Sequence, residues 1–333
     1  MTVRLRDIAE EVGVSVSTVS LVLNERGGPM VSKATRERVK AEAQRLGYQP
    51  NVAARALVTG RTHLVSVWLP RGGYGPGTQV MDALQKHLGQ RGLSLLVHPT
   101  VGAHQYGEDI PPNAGRHSDG IIAVEGPHPL SASAKGPAPA GVTNSISLGA
   151  FADKRGDWVQ VDLAQAARAA VEHLIAGGRQ RVAYLRSADA PATGDPRDLA
   201  YSELLAARDL PTRYLRADGH ASEAALSAIG ACIAESGEDR PDALFCQNDI
   251  LALGAFRAIR DAGLRVPDDV ALVGCDGIPV GDYLDPPLST IRQPVDEMCR
   301  LGCEFLADRI EHPGGPVRGA TLTARFEPKG SSG

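Results

Sequence analysis

Between Leu5 and Asn24 the segment LRDIAEEVGVSVSTVSLVLN gathers hydroxyls, one amide and small aliphatic groups at helical spacing. Val16, Ser17, Ser20, Leu21 and Asn24 fall on one side of the second of two helices. Ile8, Val12, Val14, Val19 and Leu23 fall where two packed helices bury their side chains. Ser15 is placed to cap the second helix, Gly13 can take the positive φ of a tight turn, and Ala9 is small where the helices cross. Exposed hydroxyl, amide and aliphatic groups on a helix that can enter a major groove are the chemistry of reading DNA. An ordinary helical hairpin satisfies the same twenty residues, so the neighbouring segments must decide.

Those segments supply a scaffold. After the Gly/Pro turn ERGGPM, Ser32 caps a third helix with Val39, Ala43 and Leu46 in one stripe and Arg36, Arg38 and Lys40 in solvent. VAARALVTG, residues 52–60, is a helical pattern of about eight residues, which is marginal in water unless a partner chain or DNA orders it. The charge divides at Thr62: +4 before it and −8 after it, within a net −4. A basic head on an acidic body localises attraction for phosphate, and its modest size favours a dimer over a monomer.

From His63 strands and helices alternate. Strands are expected at 64–70, 93–98, 120–124, 146–148, 159–161, 182–185, 243–246 and 270–275. Helices are expected at 78–90, 162–176, 199–208, 222–236, 249–262 and 295–310. This rhythm means parallel sheets with right-handed crossovers, and about 270 residues fit two of them, with ligands at the carboxyl ends of strands. Residues 101–117 and 131–141 break the rhythm and read as surface connections.

Other chemistries fare badly. The five cysteines show no CxxC pairing and read as small buried residues, and the nine histidines have no metal spacing. No motif indicates a Ser/His/Asp set. Residues 71–77, RGGYGPG, follow a strand and precede a helix but lack GxGxxG spacing, which favours a cleft lining over a dinucleotide loop. No cofactor, metal or enzymatic activity is expected. The charged N-terminus and the lack of a long apolar stretch suggest a cytoplasmic chain without a membrane partner.

Taken together, DIAEEVGVSVSTVSLVLN, VSKATRERV, YQPN–AARAL, SDGIIAV, HLIAGGRQRVAYL, PDALFCQNDILALGAFRAIRDAGLRVPDDVALVGCDG and PPLSTIRQP resemble the lactose-repressor/galactose-repressor (LacI/GalR) family of bacterial transcription regulators. The resemblance implies an all-α helix-turn-helix headpiece (1–50) and a hinge helix (51–61). It implies an α/β periplasmic-binding-protein-like (type I) body (62–333) of two parallel-sheet subdomains, 62–160 with 293–322 and 161–291 with 323–333. Crossings between subdomains are expected near Gln160, Arg292 and Thr323. By resemblance Val16 and Ser17 read bases, Thr18, Ser20, Asn24, Ser32 and Thr35 contact phosphates, and Leu57 wedges into the minor groove, flanked by Ala54 and Arg55 in a hinge that opens at Asn51. Leu21 stands where many relatives carry a guanine-pairing Arg; it can touch a thymine methyl instead.

The resemblance also maps an effector site onto Arg197, Asn248 and Asp276, whose donors and acceptors suit a polyol. Asp249 is expected to cap the following helix, and Asp276 has the alternative of simply stabilising its own turn. With only 4% aromatic residues, Tyr74 and Phe151 are the nearest ring candidates, and His220 stands near a position where relatives often place one. The implied protein is a homodimer on a pseudo-palindromic operator, switched by a sugar-like effector. A sugar- or nucleobase-binding protein without regulatory role, or a corepressor-dependent regulator, is the alternative.

Overall fold

Ile8, Val12, Val19, Val22 and Val39 are almost fully buried and close a small core between three helices. These helices are α1 (Leu5–Val12), α2 (Val16–Leu23) and α3 (Lys33–Arg45). The structure, a computed structural model, describes residues 3–23, 30–48, 56, 60–70, 76–100, 118–125, 144–188 and 194–333. The chain divides into two units, Met1–Thr62 and His63–Gly333.

In the first unit Gly13 ends α1 at φ 71°, its N–H donating to the Ala9 carbonyl over 2.9 Å. Ser15 Oγ accepts the Thr18 N–H at 3.1 Å, and Ser32 Oγ accepts the Thr35 N–H at 3.2 Å, so the two expected caps are made. Two expectations fail. Val14 and Leu23 only half-enter the core, and Val22 takes the inner place, because α2 turns its 19/22 edge toward its neighbours. Arg38 is not merely solvated: its guanidinium donates to the Val12 carbonyl at 2.7 Å, satisfying an acceptor that the end of α1 leaves open.

The body runs β1 (Leu64–Pro70), α4 (Gly77–Gly89), β2 (Ser94–Thr100), β3 (Gly120–Val124), β4 (Ser145–Gly149), β5 (Asp157–Asp162) and α5 (Ala164–Ala176). It continues β6 (Val182–Ser187), α6 (Pro196–Ala206), β7 (Arg213–Ala217), α7 (Ser222–Ser236), β8 (Ala243–Cys246), α8 (Asp249–Asp261) and β9 (Ala271–Asp276). Last come β10 (Ser289–Arg292), α9 (Val295–Glu311), β11 (Gly319–Thr323) and β12 (Arg325–Glu327). One sheet has the order β11-β5-β4-β3-β1-β2 and is wholly parallel; the other is β12-β10-β9-β8-β6-β7, with only β12 antiparallel.

The chain passes between sheets three times: after β5, between β10 and β11 by way of α9, and between β11 and β12. Central strands such as GIIAV and ALVGCD are buried throughout, as a sheet covered on both faces requires. In the second sheet Tyr184, Phe245 and Val273 share a core with α5 and α6, while Ala183, Leu244 and Leu272 share another with α7 and α8. Cys246, Cys275, Cys299 and Cys303 are buried free thiols, and burial lifts the Cys303 thiol to about 12. No helix among the described residues is long and apolar enough to cross a membrane.

Strands β10, β11 and β12 are expected only as crossings near Arg292 and Thr323, and three further details depart from the expected elements. Strand β7, RYLRA, is absent from the expected strands: it is a half-exposed edge strand whose arginines hide its pattern. Helix α6 begins at Pro196 rather than Leu199, because Asp195 caps it. The cap of α8 is Asn248, whose Oδ1 accepts the Leu251 N–H at 2.8 Å, and not Asp249. Asp249 instead points inward, where three donors await it.

Candidate functional site

The first candidate surface is the outer side of α2. Val16 is 43% exposed and Ser17 is exposed, while Thr18, Ser20 and Leu21 are half-buried. Ser15 Oγ lies 2.8 Å from both Ser17 Oγ and Thr18 Oγ1, so the cap also orients two neighbouring hydroxyls. Ser32 Oγ and Thr35 Oγ1 pair similarly, 2.9 Å apart, at the start of α3. Asn24, Asn51, Ala54, Arg55 and Leu57 lie outside the described residues.

The second candidate lies at the carboxyl edges of the two sheets. Asp195, as cap of α6, accepts the Arg197 N–H at 2.9 Å and also grips its guanidinium, Oδ1 to Nε and Oδ2 to Nη2, both 2.9 Å. Arg197 Nη1 donates to the Gln247 carbonyl at 2.6 Å. Burial works against the Asp195 charge, yet the guanidinium and its hydrogen bonds hold this carboxyl below its ordinary value. The guanidinium carbon lies 5.8 Å from the centroid of the Phe151 ring, which belongs to the other sheet's lobe. The structure therefore brings Arg197 and Phe151 together.

Asp276 ends β9 at φ 123°, a strained conformation for a residue with a Cβ. Its Oδ1 accepts from Gln293 Nε2 at 2.8 Å. Burial pushes its carboxyl well above the usual range, and the charges of Asp249 and Glu125 add to this against the pull of Arg197 and Gln293. The turn after it is fixed by Asp249, which accepts Gly277 N–H and Ile278 N–H, each at 2.8 Å, and the Thr290 hydroxyl at 2.7 Å. Asn248 spends its carbonyl on the helix cap. His220 is half-buried in the turn between β7 and α7, at the same edge of the second sheet. Tyr74 lies outside the described residues.

Four residues here carry no local sequence signature for their roles: Glu125, Asp195, Asp249 as an inward clamp, and Gln293. Glu125, just after β3, accepts the Ala150 N–H at 3.0 Å and the Phe151 N–H at 3.2 Å, and so holds the turn that presents Phe151. Gly149 makes room for it: a Cβ there, at φ 122°, would stand 2.5 Å from the Glu125 carboxyl carbon. The nearest hint for Glu125 is an acid directly after an apolar strand. A contact from α4 reaches the same region, Gln79 Nε2 donating to the Gly277 carbonyl at 3.3 Å. A cavity of about 360 Å³ beside it is lined by Gln79, Lys86, Gln293 and Asp296 among others.

Comparison with known proteins bears on the family and the fold. The family model for bacterial regulatory proteins of the lacI family matches residues 4–51, and that for the periplasmic binding protein-like domain matches residues 171–332. The HTH-type transcriptional regulator CelR of Thermobifida fusca is 30% identical over 323 residues, covering 92% of this chain and 91% of that protein. The solved lac repressor dimer bound to operator and the anti-inducer ONPF matches with a TM-score of 0.81 at 24% identity, over 100% of this chain and 99% of that one. A solved transcriptional regulator CelR–cellobiose complex matches with a TM-score of 0.67 at 26% identity, over 99% of each chain. Given a 30% identical relative that this chain matches over 91% of its length, the chain belongs to the lacI family of bacterial regulatory proteins.

Proposed function

We propose that this chain is a cytoplasmic, non-enzymatic transcriptional repressor that binds a pseudo-palindromic operator as a homodimer and is switched by a small sugar. Residues 1–50 act as the DNA-binding headpiece, 51–61 as the hinge and 62–333 as the effector-binding and dimerising body. In this reading Val16, Ser17 and Leu21 face base edges. Thr18, Ser20, Asn24, Ser32 and Thr35 position the headpiece on phosphates, and Asn51, Ala54, Arg55 and Leu57 belong to the minor-groove hinge.

The observation that carries the effector assignment is the buried Arg197 guanidinium facing Phe151 from the opposite lobe. The guanidinium capacity that Asp195 and the Gln247 carbonyl leave over, an aromatic face and the Asp276 carboxyl are the equipment for a hydroxyl-rich ring. Asn248 contributes its amide nitrogen, its oxygen being used by the cap. His220 stands at the rim, and Tyr74 is assigned to the same ligand. Because Arg197 and Phe151 stand on different lobes, a ligand between them favours one lobe angle and so one DNA-binding population.

A thermal-shift panel tests this, headed by cellobiose on the strength of the CelR complex and including ribose and other sugars. A sugar should raise the Tm of the wild type and leave Asp276→Ala unmoved. Stabilisation that survives Asp276→Ala unchanged contradicts the site.

A further inference from the structure

The outward groups of α2 divide sharply by chemistry. The Ser17 and Thr18 hydroxyls each lie 2.8 Å from Ser15 Oγ, so both are drawn into the N-terminal cap. Ser20 is likewise engaged. The two side chains with no polar atom, Val16 and Leu21, have no such partner to satisfy. Val16 stands 43% exposed at the first position of the helix. Leu21 is half-buried, yet it is not among the residues packed on the core of the N-terminal unit. Val16 faces water at the start of the helix, and Leu21 keeps part of its surface open in the last turn; aliphatic groups so placed gain most from an apolar partner. On base edges in the major groove that partner is the thymine C5-methyl group.

We propose that this chain reads its operator mainly through thymine methyls, one met by Val16 and another by Leu21. The inference rests on the DNA-reading assignment of α2 above. Five residues of helix span about 7.5 Å, more than one base-pair rise of about 3.4 Å, so the two side chains reach different base pairs. The hydroxyls then serve orientation and backbone contact, and specificity rests on shape and methyl pattern more than on donor–acceptor pairing. A surface of this kind also accepts 5-methylcytosine where it would reject cytosine.

The test uses the full-length protein to select its site from random duplexes. Each thymine of the selected half-site is then replaced singly by deoxyuridine, which deletes only the methyl group. Two of these replacements should each weaken binding about fourfold, the worth of one buried methyl. Val16→Ala should be indifferent to deoxyuridine at one of the two thymines, and Leu21→Ala at the other. Both variants should keep wild-type sensitivity at the remaining position, which also shows that they are folded. Placing 5-methylcytosine rather than cytosine at either position should strengthen wild-type binding by a similar factor. A half-site that tolerates deoxyuridine throughout, or sensitivity unchanged in both alanine variants, overturns the proposal while leaving DNA binding intact. Failure to enrich any duplex overturns the DNA-reading assignment itself.

Discussion

Asp276 combines a positive φ, deep burial and two neighbouring carboxylates, a setting that structure keeps only where something else requires it. Its folded pKa is raised, so its contribution to stability is complete below the ordinary carboxylate value near pH 4 and is lost as pH rises through the folded value. Asp276→Asn should therefore match the wild type at about pH 4. Near neutrality it should gain about 2–4 °C in Tm, what roughly 1 kcal/mol gives a body of this size. A Tm difference independent of pH would contradict the assignment of that cost to the buried charge. Arg197 carries the opposite risk. Arg197→Ala strands the buried Asp195 carboxylate and should cost about 3–5 kcal/mol in urea unfolding. Adding Asp195→Asn, which keeps the helix cap, should recover part of the loss.

At the scale of elements, caps decide where the site residues stand. Asn248→Ala should lose about 1 kcal/mol through the α8 cap, whereas Asn248→Asp should keep that stability, as chemical denaturation can show. If Asp also preserves sugar affinity, the amide nitrogen of Asn248 has no part in binding. The same elements show what the sequence made legible. The caps of α2 and α3, the Gly13 turn and the central strands follow from local pattern, and the structure has them. Arg197, Phe151 and Asp276 were legible as individual residues, and the first two meet across the lobes. Glu125 and Gln293 were not, because their roles come from loops and strands distant in sequence brought to one edge. Asp249 misled for a local reason: two buried polar residues stand at one helix start, and only their hydrogen bonds in the folded chain show which one caps. Strand β7 was hidden by its arginines, since an edge strand needs no apolar alternation.

At the scale of the whole molecule, the basic first 62 residues and the acidic remainder confine phosphate attraction to one end of the chain. Operator affinity should fall steeply with salt, whereas sugar affinity, governed by a buried cleft, should barely change. Comparable slopes for both would indicate that the two ligands share a surface. In this protein sugar and operator are expected to act on one conformational equilibrium, and linkage gives that coupling a strict form. Operator affinity should be measured with and without the sugar that most raises the Tm, and the affinity for that sugar with and without operator. The two ratios should be equal and differ from one, and both should collapse to one in Asp276→Ala. A sugar that binds the cleft while leaving operator affinity unchanged would contradict it.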